Sequence, residues 1–483
     1  MVRFIDVFGA QARVIPTIKS PDRRVAFREK LGWTVVILLL FLLMSNIPIF
    51  GVNQQTAIDY LYWMRVILAS THGTLMELGI GPIVTAGLIM QLLAGSKIIK
   101  IDLSDPDDRS KFTASQKSLA LWMTGIQAAA YIISGAYGTL SLLNSIIVFL
   151  QLFFAGLIVV LLDETVQKGW GLGSGVSLFI VANVSQQILW RTFSPMLDSG
   201  DGLFIGAVLA TIQAGLGQGL AGLARVFFVR PLATYDAGTT FGLIVTVIVF
   251  VVVVYFETYR VNIPLQYAKF RGYRGSYPIK LLYVSNIPVI LVQSLFATLL
   301  FWVQIVARGN IGGVNPWLDL LGVFTYDSKA NAYRPIGGLV YFITPPKDLL
   351  TIFSSTLGMI QALVYGLLMV GLCAMFAKIW VDLSGIAPRD IAEQLHGSGM
   401  QIPGFRRSPV IMEEVLNRYI PVVALLGGMI VGLLAVVADI FGALGTGMGV
   451  LLLVGIVYQL YQTIAQEQMA DMHPAMRGML GLG

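Results

Sequence analysis

The 483-residue chain has one cysteine, Cys373, so it cannot form a disulfide within itself. Its three histidines, His72, His396 and His473, lie far apart. No Cys or His cluster has the spacing of a zinc, haem or iron–sulfur site, and neither metal nor cofactor is expected. Charge is also scarce. Only 12% of residues are Asp, Glu, Lys or Arg, about half the usual share in soluble proteins, which excludes a soluble globular chain. The phosphate-cradling pattern GxxxxGK[ST] is missing, so nothing in the sequence would harvest a nucleoside triphosphate. What fills the chain is apolar: 56% hydrophobic residues and a mean hydropathy of +0.78. The bilayer is its solvent.

A helix needs about 20 apolar residues to cross about 30 Å of hydrocarbon. Ten stretches of roughly that length lack Asp, Glu, Lys, Arg and His: 31–51, 78–96, 118–138, 140–162, 172–190, 237–256, 281–307, 356–377, 419–438 and 440–466. The turns at 138–140 and 438–440 are short enough to make their flanking helices antiparallel neighbours. Residues 1–30 carry seven Lys or Arg before the first span, which predicts a cytosolic N-terminus. With that orientation 24 of the 32 positive residues fall on the cytosolic side and eight outside. The first stretch lacks a small-residue cleavage site and reads as a retained span. Ahead of it, Val2, Phe4, Ile5 and Phe8 alternate with charge, as either a short interfacial helix or a basic arm.

Ten spans divide into five and five. Because five is odd, two similarly folded halves must cross the bilayer in opposite senses, as inverted repeats. The second span opens with Gly81-Pro82-Ile83-Val84 and the seventh with Ile287-Pro288-Val289-Ile290, with proline in the first turn where its missing donor costs nothing. The fifth opens with Leu172-Gly173-Ser174-Gly175, and the tenth is entered through Leu444-Gly445-Thr446-Gly447. Ile80 and Val84, like Val176 and Ile180, put branched side chains on one helical face a turn apart. Such faces either pack against neighbouring helices or line an apolar constriction that excludes ions by dewetting.

Five segments carry a family resemblance: YWMRVILAS (62–70), GTLMELGIGPIVTAGLIMQLLAGSKII (73–99), LLDETVQKGWGLGSGVSLFI (161–180), YPIKLLYVSNIPVIL (277–291) and LNRYIPVVA (416–424). In these the chain resembles SecY, the alpha subunit of the Sec protein translocon, in its archaeal and eukaryotic form. The resemblance runs over about 4–468 and is weaker near 196–236 and 309–355.

It implies an all-α polytopic membrane protein, a clamshell of ten transmembrane helices in two inverted five-helix halves. Its divisions would be a basic N-terminal segment (1–30), an N-terminal half (31–195), an extracytoplasmic connection (196–236), a C-terminal half (237–468) and a cytosolic tail (469–483). It further implies a pore ring of Ile80, Val84, Val176, Ile180, Ile290 and Leu452. A plug over about 57–72 would include Met64, Val66, Ile67 and Leu68, with Arg65 and His72 making that segment too polar to span. The lateral gate would lie between the second and third spans and the seventh and eighth. Thr85 and Gln127 match its polar cluster, while Thr298 stands where many relatives carry asparagine. The basic cytosolic loops 257–280 and 378–418 would grip ribosomal RNA phosphates through Lys269, Arg271, Arg274, Lys280, Arg406 and Arg407. At His396 relatives often have lysine. Implied partners are a SecE-type gamma subunit, a beta subunit, the ribosome, signal peptides, nascent chains and lipid.

On this reading the protein is a passive channel, not an enzyme. A signal segment wedges open the seam and the rest of the chain threads past the ring. A leucine gains roughly 0.5 kcal/mol on entering lipid and a central Arg or Lys costs about 2.5 to 3.5, so segments sort by partition. The divergent 196–236 stretch favours an archaeal plasma membrane over the endoplasmic reticulum. A secondary transporter shares the inverted repeat but usually keeps ionisable residues at membrane depth, and these stretches have none. An intramembrane enzyme needs an Asp pair or Ser with His inside the spans. The only candidates, Asp163 with Glu164 and Asp439, sit at span ends on opposite sides.

Overall fold

A computed structural model describes residues 11, 15–52, 65–96, 98–99, 106–138, 140–198, 200–217, 219–228, 230, 237–267, 274–284, 286–306, 316–327, 332–346, 352–353, 355–384, 386–397, 400–401 and 408–472. Each of the ten apolar stretches falls on one long helix. The first half contains α1 (Phe27–Met44), α2 (Gly81–Gly95), α3 (Pro106–Ile133), α4 (Leu142–Thr165) and α5 (Gly175–Phe193). The second contains α6 (Thr240–Thr258), α7 (Ile287–Val306), α8 (Thr356–Leu383), α9 (Pro409–Ile440) and α10 (Gly447–Met472).

Six of the ten, α4 and α6–α10, are each long and apolar enough to cross a membrane. The others fall short for readable reasons. α1 and α3 begin in charged turns, α5 carries Asn183, Gln186 and Gln187, and α2 has only 15 residues. At 1.5 Å per residue α2 covers about 22 Å. The remaining depth is filled by the irregular segment 69–80, most of it buried, which is how non-helical backbone is tolerated in a membrane protein.

The apolar stretches mark helices but not their ends. α3 begins twelve residues ahead of its stretch and α9 ten ahead, because polar, solvated turns extend a helix that hydrophobicity alone does not reveal. The connections predicted at 138–140 and 438–440 are longer: α3 ends at Ile133 and α9 at Ile440. Gly135 (φ 66°) and Gly442 (φ 69°) end these helices in the left-handed region, and Ala136 and Ala443 donate back to the carbonyls of Tyr131 and Ala438. The neighbours are as predicted, α3 against α4 and α9 against α10.

Helices apolar all round follow from having lipid outside and protein inside. In α4, Val148, Leu152, Ala155 and Val159 are buried, while Leu143, Leu150, Phe154 and Ile158 are exposed. In α1, Ile37, Phe41 and Met44 face inward, and Phe41 stacks on Phe179 of α5 with ring centroids 4.6 Å apart. Between the halves, α2 packs on α7 and α8, and α10 on α1 and α5.

Beyond the helices the sequence gives no warning of sheet. On the face where α1 starts and α10 ends, which the Lys30–Glu467 ion pair (2.6 Å) ties together, β1 (Arg260–Tyr267) and β2 (Arg274–Lys280) form an antiparallel hairpin. The two-residue β5 (Met400–Gln401) adds to its free edge, giving the order β2-β1-β5 and joining the two basic loops in one sheet. A second hairpin, β3 (Val323–Asp327) with β4 (Ala332–Gly337), lies in the connection after α7. The connection after α5 folds as two short apolar helices, Ala207–Gly217 and Gly219–Phe228, and Arg230 braces its base through two bonds to Asp201 (2.8 and 2.9 Å). The N-terminal segment with Val2, Phe4, Ile5 and Phe8 lies outside the described residues.

Candidate channel site between the two halves

The six residues singled out for a ring all lie at helix starts, from the residue just before the helix to its second turn. Ile80 precedes α2 and Val84 is in its first turn; Val176 and Ile180 open α5; Ile290 is in the first turn of α7, and Leu452 in the second turn of α10. Ile80, Ile180 and Leu452 are fully buried; Val84, Val176 and Ile290 are half-buried and pack against the same core. Pro82 and Pro288 set two of these helix starts at the same place, two residues before Val84 and Ile290. The other two starts are held by carboxylates. Asp163 Oδ1 accepts from Val176 N (3.1 Å), and Asp439 Oδ1 from Gly447 N (2.7 Å).

One short helix, Arg65–Leu68, sits against α5, α7 and α10 together. It also meets α2: Ile80 N donates to Leu68 O (2.8 Å), and a Cβ placed on Gly81 would lie 3.7 Å from the Leu68 side chain. Asn183 of α5 donates to Arg65 O (3.1 Å). Leu68 is therefore buried among helices of both halves. Met64 lies outside the described residues, as do the side chains of Val66 and Ile67.

A charge cluster fixes this segment. Arg65 Nη2 donates to Glu77 Oε1 (2.7 Å) and lies 3.0 Å from His72 Nδ1, while Arg65 Nη1 donates to Ser70 Oγ (3.1 Å). Gly73 N donates to the other oxygen of Glu77. Glu77 is wholly buried. The Arg65 guanidinium compensates its charge at 2.7 Å, and Gly73 N and His72 Nδ1 complete its partners. Sequence reading noted Arg65 and His72 only as too polar to span and passed over Glu77. The signal was an acid just ahead of a span start, twelve residues from an arginine in an otherwise apolar segment.

At the seam, Thr85 Oγ1 of α2 and Thr298 Oγ1 of α7 are 3.2 Å apart, a direct hydrogen bond between the halves. Gln127 of α3 is buried, its Oε1 packed toward Gly81; among the described residues it bonds to neither threonine. Of the predicted polar trio, Thr85 and Thr298 are bonded to each other, and Gln127 lies toward Gly81 of α2. Tyr131 of α3 stacks on Phe301 of α7 (5.4 Å between centroids) and extends the seam.

The basic loops are only partly described. Lys269, Arg271, Arg406 and Arg407 lie outside the described residues, and of Arg274 only the backbone, the start of β2, is described. Lys280 turns inward: its Nζ donates to Gln462 of α10 (2.7 Å) and lies 5.8 Å from the Tyr458 ring centre. Among the described residues no group of three or more His, Cys, Asp or Glu is placed to hold a metal.

Ten helices in two halves that meet around the short Arg65–Leu68 helix define a polytopic membrane protein. Comparison with known proteins gives its family. The family described as SecY matches residues 74–461, and the plug domain of Sec61p matches residues 39–73. The chain belongs to the SecY family. It is 42% identical over 473 residues to the protein transport protein Sec61 subunit alpha of Dictyostelium discoideum, covering 96% of this chain and 97% of that one. It is also 42% identical over 492 residues to the protein translocase subunit SecY of Pyrococcus furiosus, covering 99% of each. Among solved structures it is similar to one described as "The structure of a protein conducting channel" (TM-score 0.79, 36% identity, 96% of this chain and 98% of that). It is likewise similar to Sec61 in the canine ribosome–channel complex from the endoplasmic reticulum (TM-score 0.76, 36% identity, with the same coverage).

Proposed function

We propose that this chain is the central, pore-forming subunit of a protein-conducting channel, in which Ile80, Val84, Val176, Ile180, Ile290 and Leu452 form the waist and the Arg65–Leu68 helix is part of its plug. Polypeptides are translocated, not small solutes, and the role is conduction, not catalysis. The observation that carries this is the meeting of the Arg65–Leu68 helix with α2, α5, α7 and α10, four helices that start at an aliphatic waist. Such a ring offers no fixed ligand to an ion or metabolite, yet it parts around an unfolded chain because its contacts are non-directional.

Thr85, Gln127 and Thr298 are the polar part of a lateral gate through which membrane segments leave sideways. The charge asymmetry supports termini in the cytosol, which puts the β2-β1-β5 sheet and both basic loops on the ribosome side. There Lys269, Arg271, Arg274, Arg406 and Arg407 contact RNA phosphates, while Lys280 braces β2 against α10. A structural relative was solved in a ribosome–channel complex, which supports that partner; a SecE-type gamma subunit and a beta subunit complete the assembly. The divergent 196–236 stretch favours the archaeal plasma membrane, with the endoplasmic reticulum membrane as the alternative.

The test is site-specific photocrosslinking from the six waist positions during synthesis of a secretory precursor. All six should trap the nascent chain, and alanine at Lys269, Arg271 and Arg406 together should weaken ribosome binding and flatten its salt dependence. A channel that passes metabolites and whose waist never crosslinks to a precursor is incompatible with the proposal.

A further inference from the structure

The second half repeats one detail of the first that the aliphatic ring does not explain. Near the end of α4, Asp163 accepts from Val176 N (3.1 Å) with one carboxylate oxygen and from Gln167 Nε2 (2.7 Å) with the other. Near the end of α9, Asp439 accepts from Gly447 N (2.7 Å) and from Tyr365 Oη (2.9 Å). Both aspartates are only 6% exposed. The link that follows contains Leu-Gly-Ser-Gly in one half and Leu-Gly-Thr-Gly in the other. Its first glycine has φ 77° at Gly173 and 78° at Gly445. A Cβ on its second glycine would stand 2.6 Å from Asp163 Cα in the first half and 2.4 Å from Asp439 N in the second. Five residues beyond that glycine come Ile180 and Leu452, equivalent members of the waist.

A carboxylate that accepts from the first N–H groups of a helix satisfies donors with no intrahelical partner and complements the positive end of the helix dipole. Placed on the preceding helix, it also fixes where the next helix starts. We infer that Asp163 and Asp439 are an inversion-related pair of positioning residues that set the axial position of α5 and α10, and through them the closure of the waist at Ile180 and Leu452. The inference rests on the proposed ring. It gives two buried acids a mechanical role at opposite ends of the bundle.

The test uses the full assembled channel, reconstituted in a planar bilayer, with two readouts: resting ion conductance and export of a precursor whose signal has been weakened. Asp163→Asn and Asp439→Asn keep the accepting Oδ1 and are expected within about twofold of the parent. Asp163→Ala and Asp439→Ala remove it and should raise resting conductance and export of the weak precursor roughly tenfold, the shift expected for a lost helix cap. Loss of assembly alone would lower yield and produce neither leak nor relaxed selectivity. If the alanine variants do not assemble, Asp163→Glu and Asp439→Glu are scored instead: a leak supports the inference and parental behaviour overturns it. Ile180→Ser and Leu452→Ser separate the two readings. Leak in the serine variants with tight alanine variants rejects the positioning role and keeps the ring; tight serine variants reject the ring itself.

Discussion

At the scale of single residues the proposed seal is built around one buried ion pair. Arg65 and Glu77 neutralise each other where neither reaches water freely, so removing one strands the other. Stranding a buried charge costs about 3–5 kcal/mol, against which the single Ile80–Leu68 backbone hydrogen bond, worth about 1 kcal/mol net, is small. Glu77→Gln should therefore unseat the Arg65–Leu68 helix and raise resting ion conductance, and Glu77→Leu, which also loses the bonds from Gly73 and His72, should raise it further. Parental conductance in both would mean that the cluster does not hold the segment.

At the scale of elements the proposed gate is weak by construction. An interhelical hydrogen bond in a membrane averages about 0.6 kcal/mol, close to the roughly 0.5 kcal/mol that one leucine gains on entering lipid. Thr85→Val removes the bond to Thr298 and should let a signal about one leucine shorter open the channel. Thr298→Asn adds a longer side chain with two donors and should demand about one leucine more. A precursor series with stepwise leucine content measures both, and an unchanged threshold in each would remove the threonines from the gate. A second element contact resists change. α8 and α9 pack so closely that a Cβ on Gly428 would lie 2.8 Å from the Cys373 carbonyl oxygen, and one on Gly432 3.0 Å from Val370 Cα. Gly428→Leu should therefore reduce the yield of folded complex steeply, whereas Gly371→Leu, where nothing lies within 4 Å of the added carbon, should not.

This scale also marks what could be read in advance. Hydrophobic runs locate all ten helices because lipid imposes a length and a composition on each. They misjudge the ends of α3 and α9 because the extra turns of α3 (Pro106–Lys117) and α9 (Pro409–Arg418) are polar. β5 could not be anticipated: two residues pair with β1 across more than 130 positions, and no local pattern encodes that. Of the site, the aliphatic helix starts and the repeated prolines and glycines were legible. The Glu77 cluster was not, because its members meet only once an irregular segment folds back.

At the scale of the whole molecule the two halves touch along a seam that must part for a signal to reach lipid, whereas the waist need only widen for a chain to thread. Locking the first motion tests whether the second depends on it. Thr85 and Thr298 approach within 3.2 Å across the seam, and the sole native cysteine, Cys373, is fully buried in α8. Paired Thr85→Cys and Thr298→Cys should therefore join on mild oxidation without competition from a third thiol. The oxidised channel should remain ion-tight at rest, since Ile80, Ile180 and Leu452 are untouched, and should lose both export of secretory precursors and insertion of membrane segments. Reductant should restore both. Export continuing at the parental rate with the bond formed would show that polypeptides pass between the halves without the seam opening, and that α2 and α7 move only as walls of a pore.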